Sequence, residues 1–194
     1  SRMKALRSSI IKALSASSNN ILYNKISIGE DSASLTFKPF DTALAHSGLI
    51  PKANMTQWTG DLDICMYNTN ETDSDKAMKD SRKRITQFID GVYAIIDEQL
   101  KEEYKSDFLF SNRATYAIIA LLGSIHAYLI KCGIITHSSS VSERLQAIRP
   151  YIEALTKGLN NITDEEKTSI KGFLGQGADS FWLHSFQNMV NKKF

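Results

Sequence analysis

The residues best suited to chemistry are five cations that crowd into one short run of the sequence. In "KAMKDSRKR" they are Lys76, Lys79, Arg82, Lys83 and Arg84. Cations in the first turns of a helix oppose the positive end of the helix dipole, so helix stability does not explain their position. Such a cluster can contact phosphates and would bind nucleic acid in a salt-dependent, sequence-independent way. The run therefore predicts a nucleic-acid-binding patch, with a solvated helix face as the alternative.

A second kind of chemistry is suggested by the segment "ADSFWLH", which contains Asp179, Ser180 and His184. These residue types can form a nucleophile, a base and an orienting acid. However, a helix that begins at Asp179 would use Asp179 and Ser180 as caps, and His184 would follow Ser180 by one turn on the same face. A hydrolase using Ser180 and His184 is therefore the last of the functions considered, and we assign no catalytic residue.

The sequence gives little indication of a metal-binding or phosphate-binding site. Candidate sulfur and imidazole ligands are His46, Cys65, His126, Cys132, His137 and His184. Their spacing lacks the close pairs of a structural zinc site, and we expect Cys132 and His126 to be buried packing residues. The segment "GQGADS" has two glycines of a phosphate-binding loop but lacks the third and follows a helical segment. We predict a turn there, and no cofactor or metal.

The overall composition is that of a soluble globular protein and sets no strong electrostatic field. The chain has 194 residues, of which 42% are hydrophobic and 23% charged, and its formal net charge is only +2. A role with nucleic acid must therefore come from a local patch. Two distant cysteines without an N-terminal apolar signal favour reduced thiols, so we expect a cytoplasmic protein.

Helical spacing of apolar residues dominates the sequence after residue 75. It predicts helices from Asp75 to about Ser106, from about Asn112 to Lys131, from Ser140 onward, from Thr163 to about Leu174, and from Asp179 through Val190. Ser140 with Glu143 and Thr163 with Glu166 form capping-box patterns. Pro150 lies inside the third of these helices, where we expect a kink or a break.

The N-terminal part of the chain is less regular. Residues 3–15 have the apolar stripe of a short amphipathic helix, residues 37–48 predict one or two helical turns, and residues 21–37 could form a short β-hairpin around Gly29-Glu30-Asp31. Residues 50–73 have no sustained period and predict a connector, in which Trp58 and Met55 look exposed. We therefore divide the chain into residues 1–74 and a helical bundle at 75–194 that together form one compact unit.

The most apolar stretch, "FLFSNRATYAIIALLGSIHAYLIKCGII", is long enough to cross a bilayer. Three amphipathic helices nearby must bury their stripes against something, and a helix that is apolar all round fits the centre of a bundle. We therefore predict no membrane association. The expected fold is mainly α, a helical bundle around a central apolar helix at about 112–132.

The order of segments resembles a known family. "NKISIGEDSASLTFKPFDTALAHSGLI", "RITQFIDGVYAIIDEQL", "FLFSNRATYAIIALLGSIH" and "LQAIRPYIEALTKGLNNITDEEKTSIKGFLGQGADSFW" follow one another as in the C-terminal half of the DGQHR-domain family. That family comprises relatives of the regulator of DNA phosphorothioation, which are often encoded among DNA-modification and phage-defence genes. The Asp-Gly-Gln-His-Arg signature does not occur in this chain.

The resemblance implies a helical region that works with an N-terminal ParB-like domain carrying the signature, so this chain would be a fragment of a longer protein. It transfers no catalytic or nucleotide-contacting residue. The expected function is non-enzymatic and associated with DNA modification, and the expected partners are the remainder of the polypeptide and DNA, with homo-oligomer formation left open. The alternative is a helical protein-protein interaction module that uses the connector at 50–73.

Overall fold

The computed structural model describes residues 2–28, 33–51 and 65–190. Their helices are α1 Arg2–Ala16, α2 Phe37–His46, α3 Ser74–Gln99, α4 Glu102–Phe108, α5 Asn112–Lys131, α6 Val141–Asn160, α7 Asp164–Gly172 and α8 Ala178–Val190. Two short strands, β1 Ile26–Ser27 and β2 Leu35–Thr36, complete the described elements. The prediction of a mainly α helical bundle is confirmed.

Helix α5 lies at the centre of the bundle, as its apolar sequence predicts. It packs against α2 on one side and against α8 and α6 on others. By length and composition it is the one candidate for a membrane span in the described part of the chain, with a mean hydropathy of 1.4 over its most apolar window. Because 67% of that window is buried inside the protein, burial against neighbouring helices accounts for its hydrophobicity.

Gly123 allows the end of α2 to approach α5 closely. A Cβ atom at this position would overlap the backbone carbonyl oxygen of Ser47, the residue that follows α2. The glycine therefore sets the distance between these two helices, since any side chain would push the backbones apart. Packing of this kind explains a glycine inside a helix, where it would otherwise cost about 1 kcal/mol relative to alanine.

The long helix predicted from Asp75 to about Ser106 is wrong in its extent, because the chain breaks at Leu100 and resumes as α4. The cause is a tertiary contact at Asn160, the last residue of α6. Its side-chain oxygen accepts from the Lys101 amide at 2.9 Å, and its side-chain nitrogen donates to the Gln99 carbonyl at 2.9 Å. This side chain thus satisfies backbone groups on both sides of the break.

Both predicted capping boxes are present. The Ser140 hydroxyl accepts from the Glu143 amide and the Thr163 hydroxyl from the Glu166 amide, each at 3.1 Å. In return, each glutamate carboxylate accepts from the backbone amide of its capping residue. Helix α6 continues through Pro150 without a break. Pro150 is exposed, so the carbonyl that loses its amide partner there is close to water.

The N-terminal segments pack onto the bundle. Helix α1 packs on α3 and α2, and α2 packs on α5, so one hydrophobic core contains residues from both halves of the chain. Strands β1 and β2 do form within the segment predicted as a hairpin, but they run parallel, with Ile26 opposite Leu35. The predicted antiparallel pairing is therefore wrong, and its turn at 29–31 lies outside the described residues.

Candidate nucleic-acid interface

Four of the five predicted cations lie together along one groove. Lys76, Lys79 and Lys83 follow one another at spacings of three and four, which places them on one face of α3. They line, with Arg82, a groove of about 570 Å³ between α3 and the C-terminal end of α1. We call this space the basic groove. Its remaining lining residues are Ala13, Ser17, Asn20, Asp80, Thr86 and Gln87.

These four groove cations are exposed, and none of them forms an ion pair within the described residues. Two arginines of α1, by contrast, are paired. Arg2 meets Asp75 at 3.0 Å, and Arg7 meets Asp41 at 2.8 Å. The positive charge of the groove is therefore open to an external anion.

Asp80 is the one acidic residue of the groove lining, and its carboxylate is already engaged. Its Oδ2 atom accepts a hydrogen bond from the side-chain amide of Asn68 at 3.0 Å and lies 3.8 Å from an Arg84 guanidinium nitrogen. Arg84 thus offsets the charge of Asp80, and the lysines of the groove remain without a local counter-ion. This neutralisation makes the groove more positive than its composition suggests.

Arg84, the fifth predicted cation, belongs to a different environment. Its side chain is 20% exposed, and it donates to the backbone carbonyl of His137 at 3.3 Å, in the turn between α5 and α6. Successive residues of a helix are rotated by about 100° around its axis. Lys83 therefore faces the groove, whereas its neighbour Arg84 faces the turn between α5 and α6. The structure therefore brings together four of the five predicted residues.

A second cationic site, which the sequence did not reveal, is centred on Arg144 at the start of α6. Its side chain is fully buried, with an exposed fraction of 0%. It donates to the backbone carbonyls of Thr136 at 3.1 Å, His137 at 2.9 Å and Ser139 at 3.1 Å. We call Arg144 and these contacts the Arg144 centre. It fixes the turn that joins α5 to α6.

His126 of α5 completes the Arg144 centre. One guanidinium nitrogen of Arg144 lies 2.7 Å from His126 Nε2. Because a guanidinium has donors only, Nε2 must accept, which requires a neutral imidazole with its proton on Nδ1. Phe88 packs edge-on against the ring, with 5.6 Å between the ring centroids. The prediction that His126 is a buried, hydrogen-bonded packing residue agrees with this geometry.

The burial of the Arg144 centre disfavours charged forms around it. Desolvation, with a smaller effect of Arg84, lowers the pKa of Arg144 to about 10. Desolvation also raises the pKa of the nearby Cys65 thiol to about 11, so Cys65 is a neutral, buried thiol at physiological pH. Cys132, predicted to be buried, is exposed because it follows the end of α5, so that prediction is wrong.

The segment proposed for serine chemistry does not assemble a catalytic triad. Ser180 and His184 are exposed on α8, and no hydrogen bond joins them in the part of the chain that the structure describes. The Asp179 carboxylate instead pairs with Arg113 at 2.9 Å. Helix α8 begins at Ala178, so neither Asp179 nor Ser180 is its N-cap as the sequence had suggested.

The turn predicted before α8 is present. Gly175 and Gly177 have φ angles of 82° and 86°, values that suit glycine, and form the turn predicted between the last two helices. Among the described residues, no group of three or more histidine, cysteine, aspartate or glutamate side chains could hold a metal ion.

No protein-family model, curated protein or solved structure matches the chain.

Proposed function

We propose that this chain is a non-enzymatic helical domain of a DGQHR-type protein, associated with DNA modification or phage defence, that contacts duplex DNA through the basic groove. The observation that carries the DNA contact is the set of four exposed cations on one side of α3, without ion-pair partners among the described residues. The family assignment rests on the order of sequence segments. The cytoplasmic location and the contact with the remaining polypeptide belong to the same proposal.

The expected binding is electrostatic and independent of DNA sequence. Each cation that neutralises a phosphate releases counter-ions, so the logarithm of the binding constant falls with the logarithm of salt concentration with a slope of about −0.9 per contact. Four groove cations give a slope of at most about −3.6. Because lysine and arginine contacts to the backbone read no base edges, affinity should be similar for unrelated duplexes.

A salt titration with a fluorescent duplex tests this function. Replacing Lys79 and Lys83 by glutamine should weaken binding and make the slope less steep by about 1.8. The matched control replaces Lys38 and Lys157, exposed helical lysines outside the groove, by glutamine and should leave the slope unchanged. Absence of binding at low salt, or equal effects of the two double variants, would contradict a DNA contact at the groove.

A protein-protein interaction module is the alternative function, and one described feature favours it. Leu174 is 77% exposed and Phe173 is 40% exposed at the turn before α8, where apolar side chains are costly to leave in water. Trp58 and Met55 of the connector lie outside the described residues. Without DNA binding in the titration above, this alternative becomes the better proposal.

A further inference from the structure

The basic groove is concave, and its shape restricts which ligand can use it fully. Its volume of about 570 Å³ lies within the range of roughly 300–1,000 Å³ that is typical of pockets for small ligands. A DNA duplex is too wide to enter such a space and can reach only the cations at its rim. A single nucleotide, by contrast, is small enough to occupy the groove.

Both walls of the groove are held in place by hydrogen bonds. The Asn20 side chain donates to the carbonyls of Ala13 at 3.2 Å and Leu14 at 3.4 Å, closing the end of α1. The next residue, Ile21, donates its backbone amide to Asp90 Oδ1 on α3 at 2.9 Å. The end of α1 is thereby fixed to α3, so the groove exists before a ligand arrives and binding requires little ordering.

An unsatisfied hydroxyl lies within the groove lining. Thr86 Oγ1 is shielded from solvent and makes no hydrogen bond within the described residues. Other helical hydroxyls, such as those of Thr115 and Thr156, donate to the carbonyl four residues earlier, at 3.0 and 2.8 Å. A buried hydroxyl without a partner is unfavourable, and rotation of the Thr86 side chain would present it to a ligand in the groove, so a ligand atom that pairs with it would gain affinity.

We propose that the basic groove binds a nucleoside phosphate, in the form of the phosphorylated terminal nucleotide of a DNA strand. The phosphate contacts the groove cations, and the sugar lies between Ala13 of α1 and the Thr86 hydroxyl of α3. The rest of the duplex stays outside the groove. This inference rests on the proposed DNA contact and adds to it a preference for phosphorylated ends over internal duplex.

Four ligands and two variants test the proposal at one salt concentration. The ligands are a closed circular duplex, the linear duplex of the same sequence with 5′-phosphates, the same linear duplex with 5′-hydroxyl ends, and a free deoxynucleoside 5′-monophosphate. Ala13→Phe fills the groove without changing its charge, and Thr86→Val removes the hydroxyl while keeping the shape. Ala5→Phe and Thr168→Val, at exposed helical positions away from the groove, are the matched controls.

We expect the phosphorylated linear duplex to bind about tenfold more tightly than the circle. Ala13→Phe and Thr86→Val should each reduce its affinity toward that of the circle, with little effect on binding of the circle itself. The 5′-hydroxyl duplex should resemble the circle. The two control variants should behave as the unmodified protein, and circular dichroism verifies that all four variants remain helical.

The possible failures are distinguishable. Equal affinity for the circle and the phosphorylated duplex, unaffected by Ala13→Phe, overturns the end-binding proposal and leaves the proposed function in place. Binding of the free nucleotide that Ala13→Phe abolishes, without binding of any DNA, overturns the DNA function and the DNA-end occupant, and leaves the groove as a site for free nucleotides. Absence of binding to all four ligands overturns both.

Discussion

The Arg144 centre and the basic groove both place positive charge beside α3, but they differ in whether that charge is buried and hydrogen-bonded or exposed to solvent. Arg144 is fully buried, and three backbone carbonyls and one imidazole accept its hydrogen bonds. The groove cations are exposed and have no ion-pair partner within the described residues. One site uses charge to hold the fold together, and the other leaves charge available.

The difference shows how a cation's surroundings separate a structural role from a binding role. A buried charge is tolerated only when its donors are satisfied, and then its removal is costly because the acceptors lose their partner. Replacing an exposed lysine changes the stability of the protein little, so solubility or ligand binding explains why a lysine stands at that position. Arg84 joins the two sites, since it contacts the His137 carbonyl and also offsets the charge of Asp80 beside the groove.

The largest effect on stability is expected at Arg144. Arg144→Met keeps the approximate volume but removes the Arg144 donors to the Ser139 carbonyl and His126 Nε2, and one of the two donors to the Thr136 and His137 carbonyls. We expect a loss of about 3–5 kcal/mol in the free energy of unfolding. Urea denaturation followed by circular dichroism measures this change. The midpoint should move strongly while α5 and α6 lose their ordered connection.

Arg149 provides the matched control on the same helix. It is 44% exposed, and its contacts to Glu98 and Glu153 are long, at 3.9 and 3.8 Å. Arg149→Met should therefore change the free energy of unfolding by less than about 1 kcal/mol. Similar losses at Arg144 and Arg149 would show that burial does not distinguish the two arginines.

A smaller effect is expected from pH at Cys65, next to the Arg144 centre. The thiol ionises at its ordinary pKa of 9.0 in the unfolded chain, whereas burial raises its pKa to about 11 in the folded protein. As pH rises above about 9, the unfolded state loses a proton that the folded state keeps, so stability falls. Between pH 9 and 10 the loss should be about 1 kcal/mol.

Cys65→Ala should remove this alkaline slope, although it also creates a small cavity that lowers stability at every pH. Cys132→Ala, at the exposed cysteine, should leave the slope intact. The slope of Cys65→Ala is compared with that of the unmodified protein at pH 9–10, because Arg144, with its pKa lowered to about 10, changes stability in the opposite direction in both proteins as pH approaches and passes 10. An unchanged slope in Cys65→Ala would show that the thiol is not buried in solution.

The smallest effect on stability is expected in the basic groove. Replacing Lys79 and Lys83 by glutamine removes two exposed charges that have no ion-pair partner within the described residues. The free energy of unfolding should stay within about 0.5 kcal/mol of the unmodified protein, or rise slightly. Urea denaturation measures it alongside the salt titration of DNA binding. A large loss of stability would mean that these lysines have a structural role.

Much of the fold follows from local patterns that the sequence displays. The apolar run that becomes α5 and the stripe that becomes α3 have the helical period, and the capping boxes at Ser140 and Thr163 mark where α6 and α7 begin. The parallel pairing of Ile26 with Leu35 could not be read in the same way, since strand direction depends on how the chain returns and the alternation of side chains does not encode it.

The candidate sites, too, were predictable only where their residues are close together in the sequence. The charge cluster from Lys76 to Lys83 was evident from composition and spacing alone, because four cations recur within two turns of a helix. The sequence did not reveal that the end of α1 forms the other wall of the groove, because α1 is more than fifty residues away from α3. It did not reveal the unsatisfied Thr86 hydroxyl either, since that depends on the packing around it. Arg144 gave no signal either, since an arginine in an amphipathic helix ordinarily predicts an exposed position.

The sequence by itself determined that this protein is a helical bundle with a central apolar helix and a run of cations near the start of α3, because helical periods, caps and charge clusters are local properties. Only the tertiary structure decided that Asn160 interrupts the long helix, that Arg144 is buried, and that α1 turns an exposed basic face into a groove. These outcomes depend on contacts between distant segments, which residue types and spacing do not specify.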